Sequence, residues 1–400
     1  MEGYVKVLWI TLESILPANT GGRIGVYKRL EQISKTEDIY LFYPYDNDNE
    51  LTYVEELQKY CKEVHAYNRN KNKILGILKL WKYPFTVSSR VISEMENDIK
   101  KCIDDNHIDV INVDFPHMCA CLENLNCDIP IVLNEHNIEW KVYKTIAKSH
   151  KNILKKLAYF VDSYRLKHYE RNLFKKHKFS KVTFVSSKDM QFMIDNGMIN
   201  HKQAVLIPVG ADRHEIKHTT HKGINILFVG KMSYGPNVEA VTWFSKNVMP
   251  KLRKDEEVTN LTFYIVGKDP IDEVKSLESD HIVVTGMVDD VSEYYNKADL
   301  VVLPLKNGGG VKVKLLEAIS YKKKIVSTSV GVEGTYYADH LIPVADDSDE
   351  FAKYCVDILN GTKFYPETDV YNYFELNYTW QKIGEKYLTT LYEIYNEERL

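Results

Sequence analysis

Cysteine is scarce and unpaired in this chain. The six residues at 61, 102, 119, 121, 127 and 355 show none of the C-x2-C spacing that a zinc site uses. Reduced, buried thiols are the expectation. Long apolar runs are missing too: none approaches the ~20 residues that span a bilayer, and no signal-peptide pattern follows Met1. A cytoplasmic protein is therefore expected. An excess of positive charge is also lacking, since the net charge is −4, so nothing draws the whole chain to nucleic acid. No G-x-x-x-x-G-K-[ST] loop occurs, which argues against an ATPase of the P-loop kind. Fixed-period repeats and low-complexity linkers are absent.

What is present describes a globular protein, 44% hydrophobic and 27% charged. At 400 residues it is too long for one ordinary core. Strand-like runs alternate with helical patterns in two series. The first comprises Tyr4–Ile10, Ile39–Tyr43, Asp109–Val113, Ile129–Leu133 and Lys181–Val185. The second comprises Ile224–Val229, Leu261–Val266, His281–Val284, Leu300–Leu303 and Lys324–Ser327. Such alternation implies an α/β protein of two domains, each a parallel sheet covered by helices. Ile207-Pro208-Val209-Gly210-Ala211-Asp212 lies between the series, and its proline and glycine make it the candidate hinge.

The segment from Pro304 to Ala318 carries the most chemistry. The apolar run Leu300–Leu303 feeds the glycines Gly308, Gly309 and Gly310, which permit a tight turn and close approach of a ligand. A helix is expected to follow, with Val311, Leu315, Ala318 and Ile319 on one face. Its free N–H groups would form an anion site, to which Lys312 and Lys314 add charge. Glu317 is placed about two turns in, where a carboxylate accepts hydrogen bonds from a sugar. A polar loop leading into an ordinary helix explains the glycines alone, whereas strand, glycines, lysines and Glu-Ala together favour a phosphate site.

This segment resembles the nucleotide-binding region of GT-B fold, family 4 (group 1) glycosyltransferases, and more closely the Gly-rich bacterial sugar transferases among them. Many members carry two glutamates seven residues apart, the second on the nucleotide ribose and the first on the donor sugar. Glu317 matches the second, whereas the first falls on Gly309. The resemblance implies a GT-B fold, two Rossmann-like domains with parallel sheets facing a central cleft. Its boundaries would be 1–208 on the acceptor side, with a C-terminal helix at about 379–400 packing back on it, and 209–378 binding the nucleotide-sugar. It is dense over 224–335 and sparse over 1–210.

Other parts of the family pattern follow residue by residue. In Pro17–Arg23, Gly21 and Gly22 match a pair facing the acceptor and the donor phosphates; a plain turn is the alternative. Asn134-Glu135-His136-Asn137-Ile138-Glu139 follows a strand, where open α/β sheets bind ligands. It is similar to the family's His-Asn-x-Glu, implying that His136 approaches the donor sugar and Asn137 the acceptor side. A structural histidine is the alternative. Asp114 is a weaker candidate of the same sort. Gly230-Lys231-Met232-Ser233-Tyr234-Gly235-Pro236-Asn237 places Lys231 where many members have a diphosphate-binding Arg, while Pro236 replaces their Lys; Lys312 or Lys314 would supply the missing charge. Thr285-Gly286-Met287-Val288 resembles the loop that contacts the base, through Met287 and Val288.

The expected activity is transfer of a sugar from a nucleotide-diphosphate donor, a UDP- or GDP-sugar, to a hydroxyl of a glycan or lipid-linked acceptor, with retention of configuration. His136 and Lys231 are the expected catalytic residues. No cofactor is called for. Metal is not called for either, because lysines and helix termini replace it and no Asp-x-Asp triplet is read in a strand-end loop. A GT-B epimerase or phosphorylase and a non-catalytic nucleotide-sugar-binding subunit stay open. Residues 148–181 hold eleven Lys/Arg against Asp162 and Glu170, a local +9, and residues 71–82 hold four lysines and no acid. Both suit a peripheral place on an anionic membrane surface, at the inner face of the cytoplasmic membrane. The alternative for 148–181 is a helix whose apolar stripe packs on its own domain.

Overall fold

A computed structural model describes residues 4–125, 128–149, 152–217, 219–255, 258, 260–308, 311–335, 337 and 341–397. Gly309, Gly310, Cys127 and Lys151 lie outside them. The chain divides into two compact units, 1–208 with 383–400, and 209–382.

The first unit is built on seven parallel strands. In chain order they are β1 (Lys6–Ile10), β2 (Asp38–Tyr45), β3 (Glu63–Asn68), β4 (Val110–Asp114), β5 (Ile131–Glu135), β6 (Lys181–Phe184) and β7 (Ala204–Leu206). Their spatial order is β3-β2-β1-β4-β5-β6-β7. The order runs outward from β1 in both directions, so the sheet reverses between β1 and β4. Helices cover it: β4 is buried at every residue, and apolar runs such as Val7–Ile10 of β1 are what burial on both faces requires. Strands β3 and β7 were not expected from the sequence. Both are edges and only partly buried; β3 mixes polar and apolar residues, and β7 is apolar but only three residues long. Tyr4, expected to open β1, lies outside it and is exposed.

The second unit has five parallel strands, β8 (Ile224–Val229), β9 (Leu261–Val266), β10 (Ile282–Gly286), β11 (Leu300–Leu303) and β12 (Ile325–Ser327), in the order β10-β9-β8-β11-β12. Here the reversal lies between β8 and β11. Ligands of open α/β sheets bind beyond the carboxyl ends of strands at such reversals. The last helix, Trp380–Glu397, starts in the second unit and from Ile383 belongs to the first. Gly210 and Ala211 of the expected hinge are held by 378–380: Ala211 N–H donates to Tyr378 O at 2.8 Å, and a Cβ on Gly210 would sit 2.8 Å from the Trp380 ring.

The cysteines at 61, 102, 119, 121 and 355 are free and buried. One Asp-x-Asp triplet does follow a strand, contrary to the sequence reading: Asp46-Asn47-Asp48 after β2. Its Asp46 carboxylate pairs with Arg69, and Asn47 caps the 3-10 helix Asp48–Tyr53. Among the described residues no group of three or more His, Cys, Asp or Glu is arranged to hold a metal ion.

Candidate functional site

At the reversal of the first sheet, β4 ends in Asp114 and β5 leads into His136. Asp114 is fully buried, and its Oδ1 accepts from His136 Nε2 at 2.9 Å and from Arg29 Nη2 at 2.9 Å. Trp9 Nε1 of β1 donates to the other oxygen. Burial works to raise the Asp114 carboxyl, but Arg29's charge and the bonds from His136 and Trp9 outweigh it and hold the group below the ordinary carboxylate value. Burial, helped by Arg29, lowers His136 against the pull of Asp114. With its proton on Nε2 the imidazole satisfies the carboxylate and leaves Nδ1 as an acceptor; Arg29 Nη2 also lies 3.2 Å from Nε2. Phe115, at φ 70° in a strained conformation, stacks on the His136 ring with centroids 4.2 Å apart.

Beneath these groups, Tyr387 of the last helix donates to Asn134 Oδ1 at 3.0 Å and also bonds Asn112. Arg29 lies over the Tyr387 ring, 5.5 Å from its centroid. Arg29 sits on the helix Gly21–Ile33, which Thr20 caps. Gly21 and Gly22 therefore open a helix and do not form a plain turn. A Cβ on either would meet nothing within 4 Å, so packing does not require glycine there. Asn137 is exposed and hydrogen-bonds Glu139, whose pKa burial pushes up to about 7.

At the reversal of the second sheet, the helix after β11 begins at Val313, with Lys312 as its N-cap residue. Val311 therefore precedes the helix and does not share its apolar face. Glu317 is the fifth helical residue, about one turn in, because the helix starts only at Val313, later than the sequence reading placed it. Gly308 has φ 116°, open to glycine alone. Burial raises the Glu317 carboxyl; Tyr295 Oη donates to it at 3.2 Å, in a stack of Tyr295 on Tyr321 and Tyr321 on His214.

The three lysines differ. Lys314 Nζ donates to Asn237 Oδ1 at 2.7 Å and lies 4.1 Å from the Phe228 ring centroid. Burial pushes its pKa down to about 7, opposed by Glu317. Lys312 bonds Gly308 O at 3.3 Å and pairs with Glu333 at 3.7 Å. Lys231, just past β8, is half exposed and lies 3.4 Å from Asp269. After β10, Gly286 turns at φ 70° and leaves Met287 78% exposed, while Val288 packs on the core. The structure thus gathers Lys314, Glu317 and Asn237 around the end of β8. In the first unit it joins His136 to Asp114 and to Arg29, which the sequence reading had not singled out.

Residues 223–361 match the family described as Glycosyl transferases group 1. Over 397 residues the chain is 24% identical to a Klebsiella pneumoniae protein described as an uncharacterized 44.6 kDa protein in a cps region, covering 94% of this chain and 97% of that one. A glycosyltransferase from Rickettsia africae superposes with a TM-score of 0.67 at 13% identity, over 98% of this chain and 99% of that one. Anabaena Alr3699/HepE, solved with UDP, gives 0.63 at 13% identity, over 97% and 100%. The fold is GT-B, and the expected resemblance is borne out for that fold and for the family of the second domain.

Proposed function

We propose that this protein is a glycosyltransferase that moves a sugar from a nucleotide-diphosphate donor to a hydroxyl of a glycan or lipid-linked acceptor. The observation that carries the reading is a partly buried cation, Lys314, and a partly buried carboxylate, Glu317, three residues apart on the helix after β11. A diphosphate suits the first and a ribose diol the second. Gly230 keeps the end of β8 clear for them: a Cβ there would lie 2.7 Å from Asn237 Nδ2 and 2.8 Å from Lys314 Nζ. Exposed Met287 offers an apolar surface to a base. The UDP in the Anabaena structure supports a uridine donor, with a GDP-sugar as the alternative. The cps description of the Klebsiella relative supports a surface glycan as product.

In this reading the bond from sugar C1 to the phosphate oxygen breaks, and a bond from C1 to the acceptor oxygen forms on the same face. The acceptor proton passes to the departing phosphate, so configuration is retained. Lys231 and Lys314 stabilise charge growing on the diphosphate, each charged hydrogen bond contributing ~1.5–3 kcal/mol. Neutral His136, fixed by Asp114, orients the sugar or the reacting hydroxyl; Gly21 and Asn137 border the acceptor, and Gly22 the donor. No metal is required. The first domain comprises 1–208 with the last helix, the second 209–378, and the protein works in the cytoplasm, peripheral to the membrane.

Calorimetry against UDP-, GDP-, ADP- and dTDP-sugars, followed by NMR of the anomeric proton of any product, tests this. Binding of one donor and a retained product are expected; no binding to any would overturn it. Gly309, where the family pattern that the segment resembles places a donor-sugar glutamate, favours a second reading, a subunit that binds donor without turnover. Binding with no product from any acceptor would select it.

A further inference from the structure

The helix Ile153–Lys176 does not bury the stripe expected of it. Its inward residues are Asp162, Ser163, Leu166, Glu170 and Leu173. Leu154, Leu157, Val161 and Tyr164 face outward at 75%, 61%, 49% and 62% exposure, joined by Ile153 and Phe160. The self-packing alternative therefore holds only for the C-terminal half. A second exposed group, Ile77, Leu78, Trp81 and Phe85, belongs to the segment after β3, with Trp81 at 84%.

Two side chains of the long helix bring these groups together. Arg165 donates to the carbonyls of Leu80 and Tyr83, the latter at 2.6 Å. Asp162 accepts from the Phe85 N–H at 2.6 Å and the Thr86 N–H at 3.3 Å. Residues 80–86 thus run alongside the helix at 162–165, flanked by exposed Val161 and Tyr164. The same contacts decide the charge. Between residues 141 and 178 the only acids are Asp162 and Glu170, and both are buried. Lys144, Lys148, Lys155 and Lys156 are exposed, with no ion pair among the described residues. Glu123 is a nearby acid that reaches the surface lysines, pairing with Lys82 at 2.7 Å and Lys176 at 3.7 Å. The charges beside the exposed apolar face are thus mostly cationic, with Glu123 and Glu96 as the acids near Lys79 and Lys82.

We propose that this face, formed by 77–85 and 153–164, is the docking surface for an anionic lipid bilayer. Exposed apolar side chains gathered on one face mark an interaction site. A second copy of the chain fits poorly, because a two-fold contact would set lysines against lysines. Trp, Phe, Leu and Ile ringed by Lys is the composition that sits at the headgroup boundary. The inference deepens the peripheral placement proposed above but does not depend on sugar transfer. Vesicle binding without transfer, or transfer without vesicle binding, separates the two failures.

The test uses the full chain in flotation with vesicles of phosphatidylcholine, with and without phosphatidylglycerol. Flotation with the anionic vesicles and release by salt are expected. Reversing Lys148, Lys155 and Lys156 to Glu should lower partition at least about a hundredfold, from ~5-fold for each lysine lost. Trp81→Ser with Leu154→Ser should weaken binding while leaving its salt dependence. All five positions are exposed, so thermal melting should match the wild type. Equal partition into both vesicle types, none into either, or charge-reversed protein that floats normally would overturn the proposal. So would a solution dimer that the Trp81→Ser, Leu154→Ser variant splits, which would assign the face to a second copy.

Discussion

Gly230 and Lys314 compete for one small volume: a Cβ at residue 230 would lie 2.8 Å from the Lys314 ammonium. The lysine is already in a marginal state, with its pKa pushed down to about 7 by burial. Unfolded, it titrates near the ordinary lysine value. Between those values the unfolded chain binds more protons, so this group makes stability rise with pH from about 7 to about 10.5. Below that window the full desolvation cost is present.

A bound diphosphate should restore the charge. Calorimetry at pH 8 in buffers of different ionisation enthalpy should show uptake of up to ~0.9 proton per nucleotide bound. Lys314→Met should abolish the uptake and weaken binding. Gly230→Ala should do the same by displacing the ammonium. Equal enthalpies in all buffers for the wild type would remove Lys314 from the diphosphate.

Glu317→Ala should weaken binding of the free nucleotide diphosphate at least tenfold, from loss of charged hydrogen bonds of ~1.5–3 kcal/mol each. Tyr295→Phe removes only the hydroxyl that supports the carboxylate and should cost less than tenfold. Unchanged affinity in Glu317→Ala would place the ribose elsewhere.

Lys231 is half exposed and loosely paired, so it can follow charge as charge develops. Lys231→Ala should reduce kcat more than it raises KM, with Lys312→Ala, already engaged by Glu333, as the control. A change in KM alone would make Lys231 a ground-state binder.

Arg29 lowers His136 while holding the Asp114 charge. Arg29→Met should therefore raise the His136 pKa, read by NMR titration of the ring proton, and cost ~3–5 kcal/mol of stability as a broken buried pair. His136→Ala should keep donor affinity and lose transfer. A His136 titration indifferent to residue 29 would contradict the network drawn here.

The strands of both sheets were legible as apolar runs, and the residues beyond their ends as polar interruptions, because burial on two faces writes itself into consecutive positions. Edge strand β3 escaped for the converse reason, and β7 because it is only three residues long. Arg29 was invisible: its partner Asp114 is 85 residues away, and nothing in the helix Gly21–Ile33 marks one arginine as buried. Lys312 and Lys314 looked alike in sequence, yet one is tied to Glu333 and the other desolvated against Phe228. The exposed stripe at 153–164 shows the periodicity of a buried one; only the fold tells which side faces inward.

Tyr387 reaches Asn112 across 275 residues, with the whole second domain synthesised in between. On the ribosome the Asn112–Asn134 pair therefore lacks its Tyr387 partner until the final helix emerges. An order of assembly is built into the chain: the second domain is free to fold while the first is still incomplete, and the polar floor beneath His136 is laid last.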